Sequence, residues 1–277
     1  MRTALLLALV GCAVLATTAS AITTNGLPDE GRHPEVGAIL VPARDGTGYA
    51  EVCSGTLVSP EYFLTASHCT SFLEADPRPE YVTFDETDVQ GAPTGLIPAT
   101  ALTNPAYKGS GYRDDVSLLR LAAPVTGIEP AELPPLGYLD TLGLTQQTRL
   151  TTVGYGTSEQ EVVKGEGPTF PFAGDRGYAV GSFNSLTKEW LKMSQNQAHG
   201  DGGACYGDSG GPTFVGAGED ESDVVVAVTS TGDNPCYSTN VSARTDSPSA
   251  RSGRPSRRTS RTRAAGRPRG TPCSGSR

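Results

Sequence analysis

The segment from Gly202 to Pro212 reads Gly-Gly-Ala-Cys-Tyr-Gly-Asp-Ser-Gly-Gly-Pro and sets Ser209 in a glycine-rich turn, four positions after Cys205. A serine hydroxyl is a weak nucleophile unless a neighbouring base takes its proton during attack. Taken alone, Gly-Asp-Ser-Gly is also an ordinary surface turn, because these residue types favour turns for backbone reasons. Two other stretches supply what the turn lacks. Leu64 to Cys69 reads Leu-Thr-Ala-Ser-His-Cys, and Asp114 to Leu121 reads Asp-Asp-Val-Ser-Leu-Leu-Arg-Leu. His68 has the chemistry of a general base, and a carboxylate from the second stretch would fix its tautomer and stabilise the imidazolium. His68, Asp115 and Ser209 follow one of the chain orders known for such a constellation.

Together these motifs resemble the chymotrypsin/trypsin-like serine endopeptidase family, and secreted bacterial members in particular, over residues 22–246. The resemblance implies an all-β fold of two six-stranded antiparallel β-barrels with the active site between them, and peptide-bond hydrolysis through an acyl-enzyme. The family motif places the catalytic carboxylate directly before the Val or Ile, which selects Asp115 over Asp114. It makes the N–H groups of Gly207 and Ser209 the oxyanion hole. Counting back from Ser209, it puts Gly203 at the base of the specificity pocket with Ala204 beside it, and Ser230 and Gly232 on the pocket wall. Trypsin-like enzymes carry Asp at the base. A neutral Gly203 argues against a basic substrate residue, whose ammonium would be costly to bury unpaired, and favours an apolar or small, uncharged one. Thr231 replaces the Trp of the family's pocket edge, and Tyr155 replaces the Trp of its Gly-Trp-Gly strand end.

The same resemblance pairs Cys53 with Cys69 and Cys205 with Cys236. It also makes Ile22 the inserted amino terminus, with Asp208 as the partner of its ammonium, although Thr23-Thr24-Asn25-Gly26 stands in place of Val-Gly-Gly. The other reading leaves the terminus exposed and Asp208 capped by backbone amides.

The 277-residue length suits one two-barrel domain with extra segments at its ends. Residues 1–21 have the charged start, apolar middle and small-residue exit of a secretory signal, so a secreted, extracellular protein with no membrane association after processing is expected. Leu9-Val10-Gly11-Cys12 also resembles a bacterial lipoprotein site, with anchoring at Cys12 as the alternative to a chance cysteine. Of six cysteines, Cys273 has no expected partner. Short apolar runs punctuated by Pro, Gly and Asp point to strands and turns, among them Val36 to Val41 and Glu80 to Phe84. Ala66 to Cys69 reads as a turn, and 124–135 as the crossing between barrels. His33 and His199 read as solvent-facing or locally hydrogen-bonded.

Net charge is −8 overall, but the tail after Asp246 holds nine arginines and no acid, which leaves the rest of the chain at −17. Residues 247–277 are Arg, Ser, Pro and Gly with hardly an apolar residue larger than Ala, and the family's final helix is missing. Such a segment cannot bury a face, so disorder is expected. It reads either as a natural basic arm or as out-of-frame translation. The expected partners are polypeptide substrates and protein protease inhibitors acting on a monomer, with no specific nucleic acid. No metal or organic cofactor is implied. The alternative function is a catalytically inactive secreted homologue that acts as a binding protein.

Overall fold

The computed structural model describes residues 22–158, 161–162, 168–248 and 250. The leader, Cys12, Cys273 and nearly all of the basic tail therefore lie outside the described residues. Strands β1 (Leu27–Pro28), β2 (Val36–Pro42), β3 (Tyr49–Ser59) and β4 (Tyr62–Thr65) lead to helix α1 (Ser67–Ala75). Then come β5 (Tyr81–Thr83), β6 (Ile97–Leu102), β7 (Ser117–Leu121), the single turn α2 (Tyr138–Thr141) and β8 (Arg149–Gly154). A two-residue pair, β9 (Glu161–Val162) and β10 (Pro168–Thr169), precedes β11 (Gly177–Leu186), β12 (Trp190–Ser194), β13 (Pro212–Val215), β14 (Ala227–Gly232) and β15 (Thr239–Arg244).

Strands β2-β3-β4-β7-β6-β5 close into one antiparallel barrel, and β8-β11-β12-β15-β14-β13 close into a second through the β13–β8 and β11–β8 pairings. The expected architecture is thus observed. Closure removes the exposed edges that an open sheet of this size would carry. Strand β1 lies along the start of β11, with Leu27 opposite Tyr178.

The apolar run of β2 now has an explanation. Ile39 and Val41 pack inside the first barrel with Leu57, Phe63 and Leu119, whereas Val36, Ala38 and Leu40 turn outward into a cluster with Val153, Tyr155, Phe214 and Val228 of the second barrel. A strand buried on both faces shows no polar alternation. A third cluster, containing Leu150, Leu191, Met193 and Val226, belongs to the second barrel.

One expectation needs correcting. Ala66 to Cys69 is not a turn: Ser67 opens a nine-residue helix whose Cys69, Thr70 and Leu73 are buried. That three-to-four-residue spacing is the apolar stripe of a short helix. Of the two readings of His33, the locally hydrogen-bonded one holds. His33 is buried between Asp29, which receives its Nδ1, and Glu221, whose Oε1 lies 2.7 Å from its Nε2. These carboxylates raise its pKa to about 9 against the opposing effect of burial. His199 is exposed, as expected.

Asp29 also accepts from Arg176 Nε at 2.8 Å, and Arg176 Nη1 donates to Val36 O at 3.1 Å and to the Tyr155 hydroxyl at 3.0 Å. Tyr155 in turn donates to Asp85 O at 2.8 Å. Arg176 and Tyr155 come from the second barrel's side, and Val36 and Asp85 from the first, so this cluster joins the two. Its ion pair is almost fully buried, at 3% and 0% exposure. Removing one partner of such a pair strands the other charge, at a cost of about 3 to 5 kcal/mol. Arg176→Met should lower the unfolding free energy by about that amount in urea titration, whereas a loss below about 1 kcal/mol, typical of exposed pairs, would show that the clasp is dispensable.

Candidate active site

Asp115, just before β7, is fully buried and grips the start of α1 twice. Its Oδ1 accepts from the backbone N–H of His68 at 2.8 Å, and its Oδ2 lies 2.9 Å from His68 Nδ1. The first contact satisfies an N–H that a helix start leaves without an intrahelical partner. The second leaves Nε2 as the ring nitrogen facing away from the carboxylate. Ser230, expected on the pocket wall, also donates to Asp115 Oδ2. Behind the pair, Ser67 Oγ donates to Asp114 O at 2.9 Å and lies 2.7 Å from Ser117 Oγ, which holds the two segments together, and Asn104 N donates to the same Ser117 Oγ at 2.9 Å. Tyr112 packs edge-on against the His68 ring, with centroids 5.6 Å apart.

Ser209 reaches this site from the second barrel. Its carbonyl accepts from Ser54 N at 2.9 Å and lies 3.7 Å from the sulfur of Cys69, the neighbour of His68. Gly210, at φ +84, presses so closely on Thr65 and Ala66 that a Cβ there would fall 2.0 Å from Thr65 Oγ1. Only glycine lets the serine loop approach the histidine helix this closely at that φ. Ser54 Oγ donates to Gly207 O at 3.1 Å and accepts from Tyr155 N at 3.0 Å. Sequence reasoning passed over Ser54; its place directly after Cys53 was the available signal. Gly207 takes φ +92. Among the described residues the N–H groups of Gly207 and Ser209 have no acceptor, while those of Asp208 and Gly210 bond to Cys205 O and Thr229 O.

Both expected disulfides are present. Cys53–Cys69 ties β3 to α1, and Cys205–Cys236 ties the serine loop to the segment after β14, with Cα separations of 6.3 and 5.5 Å.

Asp208 does not pair with Ile22 here. Ile22 is still joined to Ala21 and so has no free ammonium; it is nonetheless buried, and Thr23 O accepts from Gly203 N at 3.4 Å. Asp208 accepts instead from Gly156 N and Cys205 N, each at 2.8 Å. Burial outweighs these two bonds and pushes its carboxyl up to about 7. A second buried acid, missed in the sequence, faces the same loop: Glu51 Oε2 lies 2.8 Å from where a Gly207 side chain would begin. Neither Glu51 oxygen has a partner among the described residues. Burial, and then the charge on Asp208, raise its pKa well above the usual carboxylate range.

Gly203 and Ala204 are buried. Gly203 is backed by Gln195, whose side-chain oxygen lies 2.2 Å from the position a Cβ on Gly203 would take. Asn240 stands opposite Gly232 across β14 and β15. Asp201, two residues before Gly203, is engaged elsewhere, by Arg149 Nη1 and Ser182 Oγ at 2.8 Å each.

The family model described as trypsin matches residues 30–248. The chain is 31% identical over 194 residues to the trypsin of Saccharopolyspora erythraea, covering 66% of this chain and 77% of that protein. It is 27% identical over 135 residues to serine protease 28 of Mus musculus, covering 48% of each. Among solved structures, the one titled HL collagenase superposes with a TM-score of 0.58 at 16% identity, covering 81% of this chain and 92% of the other; at that identity the likeness speaks for the fold. With a family match across most of its length and two closed barrels carrying the His68, Asp115 and Ser209 segments, this chain belongs to the trypsin family of serine proteases.

Proposed function

We propose that the chain is a secreted serine endopeptidase in which Ser209 attacks the peptide carbonyl, His68 takes and returns the proton, and Asp115 holds His68. The observation that carries this reading is the double grip of Asp115 on His68 beside a serine loop whose carbonyl lies 3.7 Å from the Cys69 sulfur. His68 Nε2 removes the Ser209 proton as the tetrahedral intermediate forms, and then donates it to the leaving amine. The N–H groups of Gly207 and Ser209 stabilise the oxyanion; losing one such donor typically costs about 2.7 to 4 kcal/mol. The residue before the cleaved bond is uncharged, because Gly203 brings no charge and the Asp201 carboxylate is already engaged. Residues 1–21 supply the export signal. Among the described residues no helix is long and apolar enough to cross a membrane.

Cleavage after Ala21 would free the Ile22 ammonium beside the serine loop. Asp208 and Glu51 present two buried carboxyls with no cation among their partners, and an ammonium there would offset their desolvation. In this reading the unprocessed chain is the resting form.

Asp115→Asn should lower kcat by about 10⁴-fold with little change in KM, measured on a peptide cleaved by the processed protein, and Ser209→Ala should abolish both turnover and labelling by a fluorophosphonate. Processed, folded protein that neither turns over nor labels would move the assignment to an inactive homologue acting as a binding protein.

The buried carboxyls also set a pH dependence. A carboxyl whose folded pKa is raised stabilises the fold fully below its unfolded value of about 4 and loses that contribution as pH rises through the folded value. The unprocessed Ser209→Ala chain should therefore lose stability from pH 4 toward about 7, the folded value of Asp208. His33 is separable, since its contribution is present below its unfolded value of about 6.5 and fades only as pH climbs through about 9. Urea midpoints measured between pH 4 and 6.5 should fall less steeply in Glu51→Gln; an unchanged slope would remove Glu51 from the account.

A further inference from the structure

The specificity pocket of a neutral-base enzyme can be deep and apolar or can be filled from its own walls, and the side chains around Gly203 distinguish the two. Gln195 follows β12, and its backbone N–H donates to Ser238 O at 3.0 Å. From there its side chain runs to Gly203, with its Cβ 2.8 Å and its Oε1 2.2 Å from the site of a Gly203 Cβ. The glycine is thus a steric requirement: the space that a base side chain would use is already occupied by Gln195. Asn240, on β15, pairs with Gly232 on one side and Met193 on the other, and Gln195 comes two residues after Met193, just past the end of β12. Gln195 is 0% exposed and Asn240 2%. Nothing charged competes for the place, since the nearby Asp201 carboxylate bonds to Arg149 and Ser182.

Resting on the hydrolase reading above, we propose that Gln195 and Asn240 plug the base of the specificity pocket and restrict the residue before the cleaved bond to a small side chain such as Ala or Ser. Their polarity reinforces their bulk. Both polar atoms of Gln195 and Nδ2 of Asn240 have no partner among the described residues, and only Asn240 Oδ1 is engaged, by Ser242 Oγ at 2.9 Å. A large apolar side chain pressed onto this floor would have to displace two amides and would pair with neither. A small one stops short of them. Gln195 and Asn240 are specificity-determining residues in this scheme and take no part in bond breaking.

The test is a panel of peptides that differ only in the residue before the cleaved bond, carrying Ala, Ser, Leu, Phe, Gln or Lys, given to the processed full chain. Ala and Ser should exceed Leu and Phe in kcat/KM by about 10- to 200-fold. Gln195→Ala, and Gln195→Ala combined with Asn240→Gly, should raise Leu and Phe relative to Ala by at least about tenfold. Binding of acetylated peptides ending in each of these residues to the Ser209→Ala protein is measured in parallel, because it needs no turnover and no second variant. Tighter binding of the Ala-ended peptide, with no cleavage or fluorophosphonate labelling of the parent protein, would sink the hydrolase reading and leave the plug standing. Leu or Phe bound or cleaved as well as Ala would overturn the plug. Preference for Gln would overturn it too, by showing that the two amides swing aside to pair with a substrate carboxamide.

Discussion

The buried guanidinium of Arg176 is the contact on which the site most depends. His68 and Asp115 belong to the first barrel and Ser209 to the second, so no local stiffness can align them unless the barrels keep one orientation. Arg176 meets Asp29 by charge, Val36 by its carbonyl and Tyr155 by its hydroxyl. Each partner lies on a different segment. Apolar packing also joins the barrels, with Val36 and Leu40 against Val153 and Phe214, but packing is non-directional and tolerates sliding, whereas a planar fork with fixed donor directions does not. The charge cluster around Arg176 therefore reads as an orienting device more than as a source of net stability.

Close to the chemistry the same job falls to Cys53 and Ser54. One residue is covalently tied to the neighbour of His68, and the next bonds to the carbonyls on both sides of Asp208. Two consecutive positions of β3 thus hold the His68 helix and the Ser209 loop at once. Asp208, between those two carbonyls, sits where its charge is poorly tolerated, and among the described residues neither it nor Glu51 has a cation among its hydrogen-bond partners.

What could be read from the residues and what could not divide along a physical line. Ser209, His68 and Asp115 lie in short stretches whose glycines, cysteines and apolar neighbours match the family motifs, and many short strands pointed to an all-β fold that the resemblance made two barrels. Both disulfides were legible only through the family resemblance, which paired Cys53 with Cys69 and Cys205 with Cys236. The α1 helix was read less well, because it is too short for its periodicity to stand out. Glu51, Gln195 and the His33 cluster were missed because their meaning arises only from distant contacts. An acid within a strand, a glutamine after one and a histidine before one carry no local mark of burial.

The contact between Gly203 and Gln195 also constrains how this protein can change over generations. A single substitution of Gly203 by a charged residue would drive the new side chain into the Gln195 amide, 2.2 Å from its first carbon. The effects of the two positions are therefore not additive. A lineage moving toward charged substrates would have to shorten Gln195 first, and the order of the two steps would decide whether each intermediate folds. Gly203 and Gln195 therefore act as one steric unit, in which a change at either position alters what the other can tolerate.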